Sequence, residues 1–439
     1  MKRLLLSLAV VAVAAASCQK DFVENSNDTE IKGIEEQTSP YAVSEEEAIS
    51  LLMSALDDMT TRGEDKREVV SINAVSTSHV LSAETRTAES NIPEDLLYIV
   101  SFGENNGSAV LGADIRIKPI LAILDKTVLT LDDFINNELT RTSCNELGDK
   151  EILKNNIITA IEKSAEAQIL NSSITLPLQP VYSEFETVIT TIRHIEPMLR
   201  TKWDQVYPYN IEHPNYPNNA SVAMGCVPVA IAQFLYYHRW PASGNLYGEH
   251  FDWELMKETE YDRENPSIES LQEVSRFMYT IGNHIGAYGT GCGIHQLCDI
   301  LSDLGITSSY INFNIDTLSS LIENKGPVCM RGSSSPTAVG HAWIIDGWLI
   351  QNEKFIEYVY NKFGFLQYTH IWEDSTEHRI HCNFGWKGEC DGYYSYTVLG
   401  FDTTQELPDE FVDTEHGDDQ GSNYGDDYNF DSTFKMVQY

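Results

Sequence analysis

Basic residues are scarce. The chain of 439 residues holds 29 Lys and Arg against 66 Asp and Glu, a formal charge of -37. Phosphate binding needs a basic footprint, so nucleic acid is excluded as a partner, as is peripheral attachment to anionic lipid. The apolar run at the N-terminus, Leu4 to Ala16, is too short to span a bilayer. The cluster Gly289-Thr290-Gly291-Cys292-Gly293 lacks the Gly-Lys-Ser/Thr ending of a phosphate loop. Cys292, His295 and Cys298 have metal-like spacing, but Ile294, Leu297, Leu301 and Leu304 make that stretch one apolar helix face, and no fourth ligand is evident. No metal and no organic cofactor are expected. Disorder is excluded by a composition of 42% apolar and 22% charged residues.

What is present begins with a targeting segment. Lys2-Arg3, the short apolar run and Ser17-Cys18 have the layout of a secretory signal. Small residues before Cys18 resemble the lipobox of bacterial lipoproteins, with Ala15 where Leu is usual. Residues 1–18 are read as a lipoprotein signal, leaving Cys18 to carry lipid, and 19–40 as a polar tether. A simple secreted protein cut nearby is the alternative. Removing Cys18 from the eight cysteines leaves seven, so at least one unpaired thiol is expected. The pairing of the others is open.

Residues 41–135 read as a small α+β domain. Ser44 and Glu47 have capping-box spacing ahead of a helix, and short β runs follow around Tyr98–Phe102, Ala109–Leu111 and Ile115–Leu124. No nucleophile or metal spacing occurs there. Residues 60–95 show no pattern. Residues 136–199 read as a mainly helical linker broken by Pro177, Pro180 and Pro197, with an activation region. From residue 200 to 439, helix candidates come first and strand candidates afterwards, an α+β arrangement with segregated layers.

The chemistry centres on Gly225 to Pro241, a helix pattern with Cys226 in its first turn. Unpaired N–H groups and the helix dipole favour a thiolate there, although a core cysteine fits too. A nucleophile needs a base. His341, after Gly340 at the start of an alternating strand, is one candidate; His381 is another, on the strand that ends at Asn383. Asn383 can accept an imidazole N–H, with Phe384 and Trp386 shielding that bond. Gln205 lies 21 residues before Cys226 and can donate to an oxyanion.

The order Gln, Cys, His, Asn resembles that of papain-like peptidases, and the local motifs are similar to those of streptopain and its relatives. They stand here as Trp203 and Gln205, Pro208-Tyr209-Asn210, Gly225-Cys226-Val227 with Tyr237 to Pro241, Gly340 to Gly347, and Asn383 to Gly388. The resemblance implies a papain-like two-subdomain catalytic domain, helical part then antiparallel sheet. A small α+β prodomain of the kind seen in Bacteroides-type bacteria would precede it. It implies Cys226 as nucleophile, His341 as base, Asn383 as its orienting residue, and Gln205 with the Cys226 amide as oxyanion donors. Substrates would be proteins or peptides, and the propeptide an intramolecular inhibitor. The chain departs from the family at Pro228, at Asp204 and above all at Phe384, where relatives carry Trp. A weakened enzyme is therefore expected. The competing readings are an inactive homologue that binds at the cell surface, and acyl transfer to an amine.

Overall fold

The computed structural model describes residues 39–59, 67–89, 91–136, 149–176, 183–219, 222–260, 265–288, 292–333, 340–361, 363–399 and 433–439. The signal, Cys18, nearly all of the tether, Gly289 to Gly291 and most of the acidic tail lie outside these residues.

Alternating apolar side chains build the first strands. β1 (Ser71–Ser76), β2 (Asp95–Ser101), β3 (Ser108–Gly112) and β4 (Ile120–Leu124) pair antiparallel in that order. Leu97 and Ile99 of β2 enter one core, and Tyr98 and Val100 enter another on the opposite face. α1 (Glu45–Met59) covers the second face with Ala48, Leu52, Ala55 and Leu56. Its capping box forms as the spacing predicts: the Glu47 N–H donates to Ser44 Oγ (3.3 Å) and the Ser44 N–H to Glu47 Oε2 (2.9 Å). α2 (Asp149–Asn171) covers the first face with Ile157, Ile158, Ile161 and Ala165. Each such aliphatic side chain contributes about 1.5–3 kcal/mol by leaving water.

Three expectations fail here. Residues 71–76, in the stretch without pattern, are a strand. The segment 136–199 is not simply helical, because β5 (Ser183–Ile195) follows α2. Also, Ile115 and Ile117 belong to a turn, and the strand starts at Ile120.

The second half is mixed helix and antiparallel sheet, an α+β fold. α3 (Cys226–His238) packs on α4 (Ile268–His284), which Ser267 caps by accepting the Ser270 N–H. β6 (Asn245–Leu246) and β7 (Glu249–His250) form a ribbon. α5 (Leu297–Asp303), β8 (Ser309–Asn312) and α6 (Ile315–Asn324) come next. β9 (Val328–Ser333), β10 (Gly340–Tyr360), β11 (Leu366–Asn383), β12 (Gly392–Ser395) and β13 (Thr433–Gln438) complete the chain. Among the described residues eleven strands share one sheet, ten of them in the order β1-β2-β3-β4-β12-β11-β10-β9-β13-β8 and β5 off this path beside β10. β10 is long enough to take two partners on one edge: β9 along Gly340–Ile345 and β5 along Trp348–Val359. Its pairing with β11 skips Asp346, a bulge that turns this carboxylate toward His381.

Candidate active site

Gly225 sets the start of α3. Its φ of +91° lies in the region glycine enters without strain, and Cys226 follows as the first helical residue. Pro228 falls in the first turn, where its missing N–H removes no helical bond. Cys226 is partly exposed, at the end of the helix whose N–H groups favour negative charge.

Gln205 is buried at 4% exposure. Its carbonyl accepts the Met224 N–H at 2.7 Å, which ties it to the residue two before Cys226. Its N–H donates to Asp204 Oδ1 at 2.8 Å. Its side-chain Nε2 is buried with no hydrogen-bond partner. A buried amide donor left unsatisfied calls for an explanation. Asp204, buried itself, holds Lys150 of α2 at 2.7 Å.

His341 opens β10 and is flanked by the rings of Trp343 (6.2 Å) and Phe384 (6.1 Å). Its Nε2 lies 2.9 Å from the Phe384 carbonyl. A carbonyl only accepts, so Nε2 carries the proton and Nδ1 of the neutral ring keeps a lone pair. Burial lowers the imidazole to about 4, against the smaller upward pull of the Phe384 carbonyl. The ring is therefore neutral near pH 7, as a base must be.

The expected bond from His341 to Asn383 is absent. The Asn383 amide is used elsewhere: its Oδ1 accepts Gln233 Nε2 (3.1 Å) and the Gly385 N–H (3.2 Å), and its Nδ2 donates to the Thr201 carbonyl (3.0 Å). The main chain one residue on makes the bond expected of the side chain. Trp386 is buried against Lys150, whose Nζ stands 5.8 Å from the ring centre, while Trp343 and Phe384 are the rings flanking His341. Gly340 leaves room for Arg331: a Cβ there would meet Arg331 Nε at 3.0 Å.

His381 belongs to another cluster. Its Nδ1 lies 2.6 Å from Asp346 Oδ1 and its Nε2 3.2 Å from Asp125 Oδ2. Lys202 bridges Asp125 (3.3 Å) and Asp391 (2.9 Å). The second oxygen of Asp391 accepts the Phe384 N–H at 2.9 Å. Sequence reasoning missed Gln233, Asp391 and Lys202. Gln233 had one signal, a polar side chain amid the apolar residues Ile231, Ala232, Phe234 and Leu235. Cys382 and Cys390, open as a bridged pair, are separate buried thiols.

A cysteine opening a helix, a neutral imidazole on the sheet packed against that helix and a buried amide donor tied to the segment before the cysteine are the kinds of group that thiol chemistry on a carbonyl uses. Residues 203–394 match the model of the Peptidase C10 family. The chain is 20% identical over 359 residues to the Thiol protease/hemagglutinin PrtT of Porphyromonas gingivalis, covering 72% of this chain and 36% of that protein. It thus spans about a third of that relative's length. Among solved structures, a fragment of Prevotella intermedia prointerpain A is similar at TM-score 0.45 and 17% identity, covering 84% of this chain and 98% of that one. Active Prevotella intermedia interpain A is similar at TM-score 0.35 and 21% identity, covering 56% and 94%.

Proposed function

We propose that the chain is an exported, lipid-anchored cysteine endopeptidase made as a zymogen. The observation that carries the chemistry is the unsatisfied Gln205 Nε2, buried beside the segment leading to Cys226. A donor held ready but unused in the resting site suits a charge that exists only in the transition state. Cys226 Sγ gives its proton to His341 Nδ1 and attacks the peptide carbonyl carbon. Gln205 Nε2 and the Cys226 N–H receive the oxyanion. The C–N bond breaks as His341 returns the proton to the leaving amine. Water, deprotonated by His341, then cleaves the thioester and restores the thiol. Export and lipidation rest on the N-terminal pattern ending in Cys18.

The zymogen reading draws support from Lys150, which reaches Asp204 next to Gln205, and from Asp125, which enters the cluster around His381 and Lys202. Residues 41–135 would then act as the intramolecular inhibitor. The inactive-homologue reading rested on Phe384. Yet residue 384 meets His341 through a main-chain carbonyl as well as its ring, and any residue supplies that carbonyl. Cys226→Ala in the full chain is expected to abolish peptide hydrolysis and self-processing with the fold intact. Hydrolysis persisting in that variant would overturn the assignment.

A further inference from the structure

Two hydrogen bonds meet on one peptide group. Its carbonyl, from Phe384, accepts the His341 Nε2 proton; its N–H, from Gly385, donates to Asn383 Oδ1. A peptide whose N–H is engaged is a better acceptor at its oxygen, because each bond polarises the next. The plane of this group therefore fixes the imidazole, and whatever fixes Asn383 fixes the plane. Asn383 Oδ1 takes a second donor, Gln233 Nε2, at 3.1 Å. Gln233 is fully buried, and its own oxygen accepts Thr201 Oγ1 at 2.6 Å. Asn383 Nδ2 in turn donates to the Thr201 carbonyl. These bonds define which end of each amide faces which partner.

Gln233 stands on α3, seven residues after Cys226, so about 10 Å of rigid helix separates the two. Gly385 is pressed against the same helix: with φ +71°, a Cβ there would come 3.0 Å from Val229 Cγ1. The helix that carries the nucleophile thus also sets the group that carries the base. We propose that Gln233 is a positioning residue for His341, acting through Asn383 and the Phe384–Gly385 peptide. This rests on the peptidase reading for its kinetic consequences, but not for its geometry.

Removing the Gln233 amide takes away one of the two donors that fix Asn383 Oδ1, leaving that oxygen held by the Gly385 N–H alone. The Asn383 side chain then has room to swing, the Phe384–Gly385 peptide tilts with it, and the His341 proton is held less well. Gln233→Met, close to isosteric, is expected to lower kcat about tenfold or more with KM changed less than about twofold. In the unprocessed full chain bearing Cys226→Ala, it is expected to make the His341 imidazole titrate at lower pH, read by NMR of histidine-labelled protein. Thr201→Val removes only the hydroxyl donor to Gln233 and is expected to give smaller changes in the same direction; it carries the test if Gln233→Met does not fold. Gln233→Glu retains the shape but loses the donor when ionised, and is expected to match Gln233→Met rather than wild type. A folded Gln233→Met with unaltered His341 titration overturns the proposal, whatever its kcat. An inert wild type with the titration shift present would sink the peptidase reading and leave the positioning role standing.

Discussion

At the scale of the residue, the site turns on which atoms remain available. Gln205 Nε2 is buried and unsatisfied. Gln205→Ala is expected to lower kcat about 10²–10³-fold with little change in KM, since the amide meets the oxyanion only as charge develops. Steady-state kinetics showing a change confined to KM would make it a substrate-binding residue instead. Phe384 is 1% exposed, with Trp343 at 5.8 Å and Tyr394 at 6.0 Å around its ring. An indole has little space there. Phe384→Trp is expected to destabilise by about 1–3 kcal/mol, measured by denaturant unfolding, rather than restore a missing shield. A variant more stable than wild type would show that the pocket gives way. The motif order made Gln205, Cys226 and His341 legible, because each stands in a local pattern. The partner of His341 was not legible. It is a carbonyl, which every residue has, and its placement depends on Gln233, 151 positions away from Phe384 in the chain.

At the scale of the element, long-range pairing overrides local pattern. β5 carries glutamates and threonines, is mostly half-buried or exposed, and sits after a Pro-broken stretch, so it read as connection. Its strand state comes from twelve register partners along β10, from Trp348↔Ile195 to Val359↔Ser183. By contrast α1 was legible, because the capping box of Ser44 and Glu47 is a local signal. A strand held in a ladder resists proteolysis, which needs an extended, unpaired chain. The activation cut is therefore expected before Ser183, leaving β5 on the mature enzyme. N-terminal sequencing of processed protein checks this, and a new terminus inside 184–195 would contradict it.

At the scale of the whole molecule, the sheet runs unbroken from the N-terminal strands β1 to β4 into the C-terminal strands through β4 and β12, with Leu124 opposite Gly392 and Ala122 opposite Tyr394. Charge is buried at this junction. Asp125, just past β4, faces His381 and Lys202, with Arg67 at 3.8 Å; Asp346 and Asp391 close the other side, and Tyr393 lies against the His381 ring. Burial alone would push His381 down, but Asp346 and Asp125 outweigh it and raise the imidazole to about 10. A raised histidine contributes stability fully below its ordinary 6.5, and that contribution is lost as pH rises through about 10. His341 runs the other way. Depressed by burial to about 4, it contributes above 6.5, and the contribution is lost as pH falls through about 4. Burial would raise Asp125, but His381, Lys202 and Arg67 hold it well below the usual carboxylate range, so its share is lost only in stronger acid. The two histidines therefore predict a thermal midpoint that peaks near pH 6.5 and falls on both sides. Thermal unfolding of the full chain with Cys226→Ala across that range measures it. Asp125→Asn removes one of the two carboxylates that raise His381, so it is expected to lower the midpoint and shallow the alkaline fall. The acidic fall, which belongs to His341, should remain. An alkaline limb unchanged by Asp125→Asn would mean that the junction of β4 with β12 carries none of this proton linkage.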